Sequence, residues 1–320
     1  MAILIAGMTA CGKSRLALSI AQAVGGVIIN ADALQVYSDW VVLTACPKPE
    51  KKAEIPHKLY NHISGSESYS VQRWLDDVQP VLAWCQETNT VPIVVGGTGL
   101  YFHVLTQGLS PIPAIPAHVR EEGMNILHQE GVCSLFQSLQ ALDPETAACI
   151  DSHNSARVLR AWEVVTGTGR GMTSWWQEQT QPILPFSKAC SVVLTSDLDW
   201  VEERCLKRLH SMLENHVLDE IQAFEKRYSD QNGMSAKALG RAEFASYLRG
   251  EISLEKAVFL ATKASRLYAK RQKTWLNKYM KKWRWFDAKD VGEQTEEYAA
   301  RVVSMVSHRE YGKPSISSSG

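Results

Sequence analysis

The sequence predicts an α/β chain in which a parallel sheet core is interrupted by a helical insertion. Three observations predict it. Over the first hundred residues, short apolar runs alternate with helical patterns, the order that βαβ units produce. A glycine-rich loop stands directly between the first apolar run and the first helical pattern. Helical periodicity then fills residues 118–167, and an apolar run at 192–195 returns to the strand pattern.

The elements follow in order. Residues 3–6 read as the first strand and 14–24 as the first helix, with Leu16, Ile20 and Val24 on one face and Gly25-Gly26 as its stop. Residues 27–30 read as a second buried strand ending just before Asp32, 71–86 as a helix, and 92–95 as a third strand closed by Gly96-Gly97. The stretch LSPIPAIP at 109–116 carries three prolines and cannot be a helix interior. TGTGRG at 166–171 ends the helical region, and long helices dominate after the strand at 192–195. The expected division is therefore a core from 1–112 and 181–311, an insertion at 113–180, and a disordered tail at 312–320 with little to bury.

Composition narrows the class. With 45% hydrophobic and 21% charged residues, the 320-residue chain reads as an ordinary globular protein. It has no apolar run of the roughly 18 residues that a membrane helix needs, and its start lacks the basic region of a signal peptide. The seven cysteines form no CxxC pair and the nine histidines no HExxH, which argues against zinc and disulfides. A reducing compartment, the cytoplasm, is expected. Net charge is zero, yet residues 263–284 hold nine basic side chains and no acidic one.

Gly7-Met8-Thr9-Ala10-Cys11-Gly12-Lys13-Ser14 satisfies GxxxxGK[ST] between a strand and a helix. This makes the core P-loop NTPase-like. In such a loop the backbone N–H groups face an anion at a helix N-terminus. Lys13 supplies charge to the terminal phosphates and Ser14 is placed to ligate Mg²⁺. The loop specifies a diphosphate or triphosphate but not a reaction. A nucleotide kinase, a hydrolytic switch and a transferase with a pyrophosphate leaving group all remain open. Hydrolytic enzymes usually carry a metal-holding carboxylate at a strand end. Here the third strand ends in Gly96-Gly97-Thr98-Gly99, and Asp32 is the remaining candidate, close to Gln35 and Tyr37.

At this point the ordered motifs resemble one family, the tRNA dimethylallyltransferases or isopentenyltransferases. The resemblance runs from about residue 3 to 275 through GMTACGKS, NADALQVY, LTACPKP, IPHKL, ESYSV, PIVVGGTGLYF, LSPIP, ARVLRAWEV, YLRGEISLEKA and SRLYAKRQKTW. It implies transfer of a dimethylallyl group from dimethylallyl pyrophosphate to N6 of the adenosine just 3′ of the tRNA anticodon. It further implies Asp32 as the general base, and Lys13 and Arg208 as the charges that receive pyrophosphate, with Arg204 a weaker candidate. The donor would lie on Gly7, Thr9, Ala10, Cys11, Gly12, Lys13, Ser14 and Thr44, with Mg²⁺ on Ser14. Residues 32–35 (Asp32, Ala33, Leu34 and Gln35) and Thr98 would surround a flipped-out base. Arg120, Arg157, Arg160 and Arg241 would contact tRNA. A monomer is expected.

Three positions depart from the family pattern. Cys46 replaces a lysine, Ser155 an acidic residue, and Gly240-Arg241-Ala242 has its arginine one place early. The basic stretch from 263 interleaves Tyr268, Trp275, Tyr279, Trp283 and Trp285, a pattern suited to RNA. The same spacing suits a helix packed through Leu267, Tyr268, Arg271, Trp275 and Tyr279. Trp175-Trp176 reads equally as a stacking pair or a packing contact, and His57 as a satisfied turn histidine. The rival functions are an adenylate isopentenyltransferase, a P-loop metabolite kinase and a nonenzymatic RNA binder. Intact Lys13, Ser14 and Asp32 oppose the last of these.

Overall fold

The computed structural model describes residues 1–228 and 233–311, so the predicted tail at 312–320 lies outside the described residues. Six strands form one sheet: β1 (Ala2–Gly7), β2 (Val27–Asn30), β3 (His57–Lys58), β4 (Pro92–Gly96), β5 (Ala189–Thr195) and β6 (Arg284–Asp287). Their order is β3-β2-β4-β1-β5-β6, and every pairing is parallel. The four inner strands are apolar at nearly every position because helices cover both faces. β1 lies at the centre, with Ile5 opposite Val95 on one side and Val192 on the other. The loop after Gly7 thus opens at the C-terminal edge of the sheet, where ligands of such folds bind.

Two strands went unread in the sequence. β3 has two residues, too short for a pattern. β6 begins where the basic aromatic stretch ends, and Phe286 is its one buried position.

The chain divides into two compact units, one of residues 1–106 and 184–320 and one of 107–183. The first carries α1 (Lys13–Val24), α2 (Pro49–Glu54), α3 (Val71–Glu87) and α4 (Gly99–Gln107). The second carries α5 (Ala117–Gln129), α6 (Gly131–Leu142), α7 (Pro144–Cys149), α8 (Ser155–Thr168) and α9 (Met172–Trp176). After β5 come α10 (Leu198–Glu214), α11 (Val217–Arg227), α12 (Arg241–Leu248) and α13 (Leu254–Tyr279), then α14 (Ala288–Glu293) and α15 (Thr295–Tyr311).

The helical unit has its own core, built on Leu135, Leu139, Val158 and Trp162. Buried Asp143 ties it together, accepting from Thr146 N–H and Met172 N–H at 3.0 Å each. The prolyl stretch belongs to this unit, where Leu109 O accepts from Thr180 N–H at 3.0 Å. Trp175 packs on that core with Arg170 over its ring, while Trp176 is exposed.

Helix α13 corrects one expectation. Its buried stripe runs from Ala257 and Val258 through Ala261, Thr262, Ser265, Ala269 and Gln272 to Leu276, mostly small or polar residues, and the helix packs on α10. Leu267, Arg271 and Tyr279 are exposed instead, so the packing face is rotated from the aromatic one. Among the described residues, no helix is long and apolar enough to cross a membrane. Among the described residues no disulfide joins the seven cysteines, of which Cys133 and Cys149 are exposed and the rest buried.

Candidate active site

The phosphate loop leaves β1 at Gly7 and enters α1 at Lys13. Gly12 sits at φ 81°, a left-handed turn open to glycine and strained for other residues. Its carbonyl then accepts from Leu16 N–H at 3.1 Å, starting the helix. Lys13 Nζ folds back to donate to Met8 O at 2.7 Å. Burial is the main influence on Lys13 and lowers its pKa, while Cys11 and Asp32 draw it back up. Ser14 is exposed on the first turn. Cys11 is buried in the loop, and burial pushes its pKa up to about 11.

Arg208 projects from α10 to the same loop, where its Nη2 donates to Thr9 Oγ1 at 2.9 Å. Its Nε is buried with no acceptor among the described residues. A buried cationic donor left unpaired is costly, and an anion at the loop would satisfy it. Arg204, one turn earlier, donates from Nε to Ala10 O at 2.7 Å and braces the outside of the loop.

Asp32 follows β2 and is shaped by an Asx-type turn. Its Oδ1 accepts from Leu34 N–H at 2.9 Å, and its own N–H donates to Asn30 Oδ1 at 2.9 Å. Burial, then the charge of Asp32, pushes the Tyr101 and Tyr268 phenols up, so both stay neutral beside it. Thr98 Oγ1 accepts from Ala33 N–H at 2.9 Å, which pins residues 32–34 against the end of β4. Gly96 is enforced there, since a Cβ would come within 2.0 Å of Ala31 O. A cavity of about 440 Å³ opens between Leu34, Thr98, Tyr268 and Trp275, with the Trp275 N–H buried and lacking an acceptor among the described residues.

Thr44 reaches this wall through Gln35, whose Nε2 donates to Thr44 O at 2.8 Å. Cys46, replacing the expected lysine, lies 3.3 Å from Thr44 Oγ1, with its pKa pushed up to about 11 by burial. Of the expected site residues, Lys13 thus feels the charges of both Asp32 and Arg208, while Ala33, Leu34 and Thr98 line the cavity. The structure does not bring Arg241 there. That guanidinium is part-buried and pairs with Glu225 of α11. Arg120, Arg157 and Arg160 lie in the helical unit, where Arg120 and Arg160 both hold the buried Glu163, at 3.0 and 3.3 Å. Arg157 is exposed.

Two residues at the site escaped sequence reasoning. Gln272 of α13 accepts from Thr9 N–H at 2.7 Å and donates to Gly97 O at 3.0 Å. Glu220 of α11 accepts from Val41, Val42 and Leu43 N–H at 2.6, 2.9 and 2.8 Å, fixing the loop that ends at Thr44. Neither carries a local signal, because all their partners are distant in sequence.

The sequence profile described as IPP transferase matches residues 35–279. A tRNA dimethylallyltransferase of Dinoroseobacter shibae is 46% identical over 281 residues, covering 88% of this chain and 93% of the relative. That of Paracoccus denitrificans is 44% identical, with the same 88% and 93% coverage. Among solved structures, a tRNA isopentenylpyrophosphate transferase of Bacillus halodurans is 30% identical, with TM-score 0.68 and 97% of each chain covered. A eukaryotic dimethylallyltransferase described as acting on tRNA gives TM-score 0.83 at 26% identity, over 98% of this chain and 80% of that one. With the profile spanning most of its length and relatives near half identical, the chain belongs to the tRNA dimethylallyltransferase (IPP transferase) family.

Proposed function

We propose that the protein transfers the dimethylallyl group of dimethylallyl pyrophosphate to N6 of the adenosine 3′ of the anticodon in tRNA, releasing pyrophosphate. The observation that carries this reading is the buried Arg208 Nε, without an acceptor among the described residues, on a guanidinium that bonds the phosphate loop at Thr9, while Gln272 links that loop to Gly97 on the wall of an apolar cavity. An anion with an apolar tail fits that combination. A kinase or hydrolase fits less well, because glycine is enforced at the β4 end where its carboxylate would stand.

In the reaction, the N6 lone pair forms a bond to the allylic carbon as that carbon's bond to the pyrophosphate oxygen breaks. The electron pair leaves with pyrophosphate, and Lys13 and Arg208 hold the charge that develops. Asp32 accepts the N6 proton, a role that contributes roughly 10²–10⁴-fold. The cavity's apolar wall excludes water that would otherwise capture the allylic group. The target base must leave its stack to reach Asp32.

Among the described residues, no cluster of three metal-ligating side chains exists. The exposed Ser14 hydroxyl would hold Mg²⁺, an ion that takes oxygen ligands and is often bound through only one or two protein groups. When bound, it would neutralise charge on pyrophosphate. The reading places the enzyme in the cytoplasm, acting as a monomer.

The test is transfer of label from dimethylallyl pyrophosphate to an anticodon stem-loop with adenosines at the target, with Mg²⁺ and without ATP. Asp32→Ala runs beside the wild type, with AMP as a competing acceptor. Transfer to RNA that drops by about two orders of magnitude or more in the variant is expected. Transfer to AMP alone would mean a free-nucleotide enzyme. ATP turnover with no prenyl transfer would overturn the reading.

A further inference from the structure

Gln272 has no part in the chemistry described so far, yet both ends of its side chain are engaged at the site. It lies in the middle of α13 and is only 6% exposed. Its Oε1 takes the Thr9 N–H at 2.7 Å, on the loop that receives the donor. Its Nε2 gives a hydrogen bond to Gly97 O at 3.0 Å, on the wall that faces the acceptor.

The chain of hydrogen bonds continues outward on both sides. Thr9 Oγ1 accepts from Arg208 at 2.9 Å. Beyond Gly97, the neighbouring Thr98 Oγ1 accepts from Ala33 N–H, and Asp32 Oδ1 accepts from Leu34 N–H, each at 2.9 Å. One amide thus joins the cation that meets pyrophosphate to the segment that aims the base.

Packing alone does not account for it. The stripe that Gln272 shares with Ala261, Ala269 and Leu276 would accept an apolar side chain, whereas a buried amide is costly unless its polar atoms are bonded. The two hydrogen bonds also fix the amide's orientation, because a flipped group would set an N–H against the Thr9 N–H and an oxygen against Gly97 O. Space is reserved for it too. A Cβ at position 97 would lie 2.3 Å from Nε2.

We propose that Gln272 is a positioning residue that holds the donor loop and the acceptor wall in one register, so that binding of each substrate favours binding of the other. The proposal rests on the transferase reading above. Such coupling is reciprocal: whatever factor RNA adds to donor affinity, the donor adds to RNA affinity.

The test compares wild type, Gln272→Met and Gln272→Glu. Methionine keeps the length and removes both hydrogen bonds. Glutamate keeps an acceptor for Thr9 N–H but removes the donor to Gly97 O, so it also serves if the methionine variant folds poorly. Affinity for dimethylallyl pyrophosphate is measured alone and with saturating anticodon stem-loop, alongside kcat and the melting temperature of each protein. In the wild type, stem-loop should tighten donor binding. In both variants that factor should fall to near one and kcat should drop by roughly 10–100-fold, the scale of a misplacement of about 1 Å. Melting temperatures should fall, because Thr9 N–H and Gly97 O lose a buried partner, but the variants should remain folded at the assay temperature.

Wild-type coupling retained in both variants with unchanged kcat would overturn the proposal and leave the transferase reading intact. So would donor binding that stem-loop does not affect in the wild type. A loss of kcat matched by an equal loss of folded protein would reduce Gln272 to packing. Absence of transfer by the wild type would instead overturn the reading on which the proposal rests.

Discussion

Lys13 is held at a cost to stability, which its proposed role in binding pyrophosphate would explain. Burial lowers its pKa in the folded protein below the ordinary value of 10.5. The unfolded chain therefore binds the proton more tightly. At neutral pH the charged ammonium works against folding, and stability recovers as pH rises through the folded value towards 10.5. Lys13→Met should accordingly melt higher than wild type at pH 7, with the advantage shrinking in alkali. The same variant should bind dimethylallyl pyrophosphate on the order of 10–100-fold more weakly, since it lacks a charge-assisted hydrogen bond of about 1.5–3 kcal/mol. A lower melting point at pH 7 would refute the first expectation, and unchanged titration by donor the second. Lys13 was legible in the sequence because the loop packs its chemistry into eight consecutive positions. Gln272 was not, since its partners Thr9 and Gly97 lie 263 and 175 residues away.

At the scale of elements, the loop before Thr44 is held by a helix far along the chain. Three successive backbone N–H groups converge on the Glu220 carboxylate, the kind of nest that favours an anion. Glu220→Ala should destabilise the protein by about 1.5–3 kcal/mol. Amide exchange should quicken at residues 41–46 more than elsewhere, and uniform exchange would count against it. Helix α13 teaches a related lesson about what periodicity conceals. Its aromatic residues and its buried stripe both recur at helical spacing, so the sequence alone could not tell which face meets the core. The basic residues of that region separate in the structure. Lys263 and Arg266 pair with Glu202 of α10, while Lys281 and Lys282 are exposed in the turn before β6. Reversing charge at Lys281 and Lys282 should weaken tRNA binding. It should also flatten the salt dependence by roughly 0.7–0.9 in log–log slope for each phosphate no longer neutralised. An unaltered slope would show that these lysines do not meet RNA.

For the whole molecule, the chain divides into a sheet-based unit and a helical unit, and the proposed donor and tRNA contacts fall on different ones. The sheet unit holds the phosphate loop, Asp32 and the cavity. The helical unit carries Arg120 and Arg160, which are 66% and 45% exposed yet anchored on a carboxylate only 2% exposed. Such anchoring limits the conformations open to both guanidinium groups before any ligand arrives, which lowers the entropy cost of binding. Arg120→Gln should therefore weaken stem-loop affinity while leaving donor affinity in the absence of RNA unchanged. Equal losses of both would contradict that separation. The sheet plan was legible because short apolar runs mark its inner strands. The edge strands β3 and β6 were not, being short and only partly buried.

The distribution of thiols gives the experimenter a handle. Cys133 and Cys149 are exposed and both lie in the helical unit, whereas the other five are buried. Cys11 and Cys46, with pKa values pushed to about 11, stay protonated at neutral pH and react slowly with electrophiles. A maleimide dye should therefore label the insertion and spare the phosphate loop. Its fluorescence can then follow the arrival of RNA on an enzyme whose donor pocket is chemically untouched.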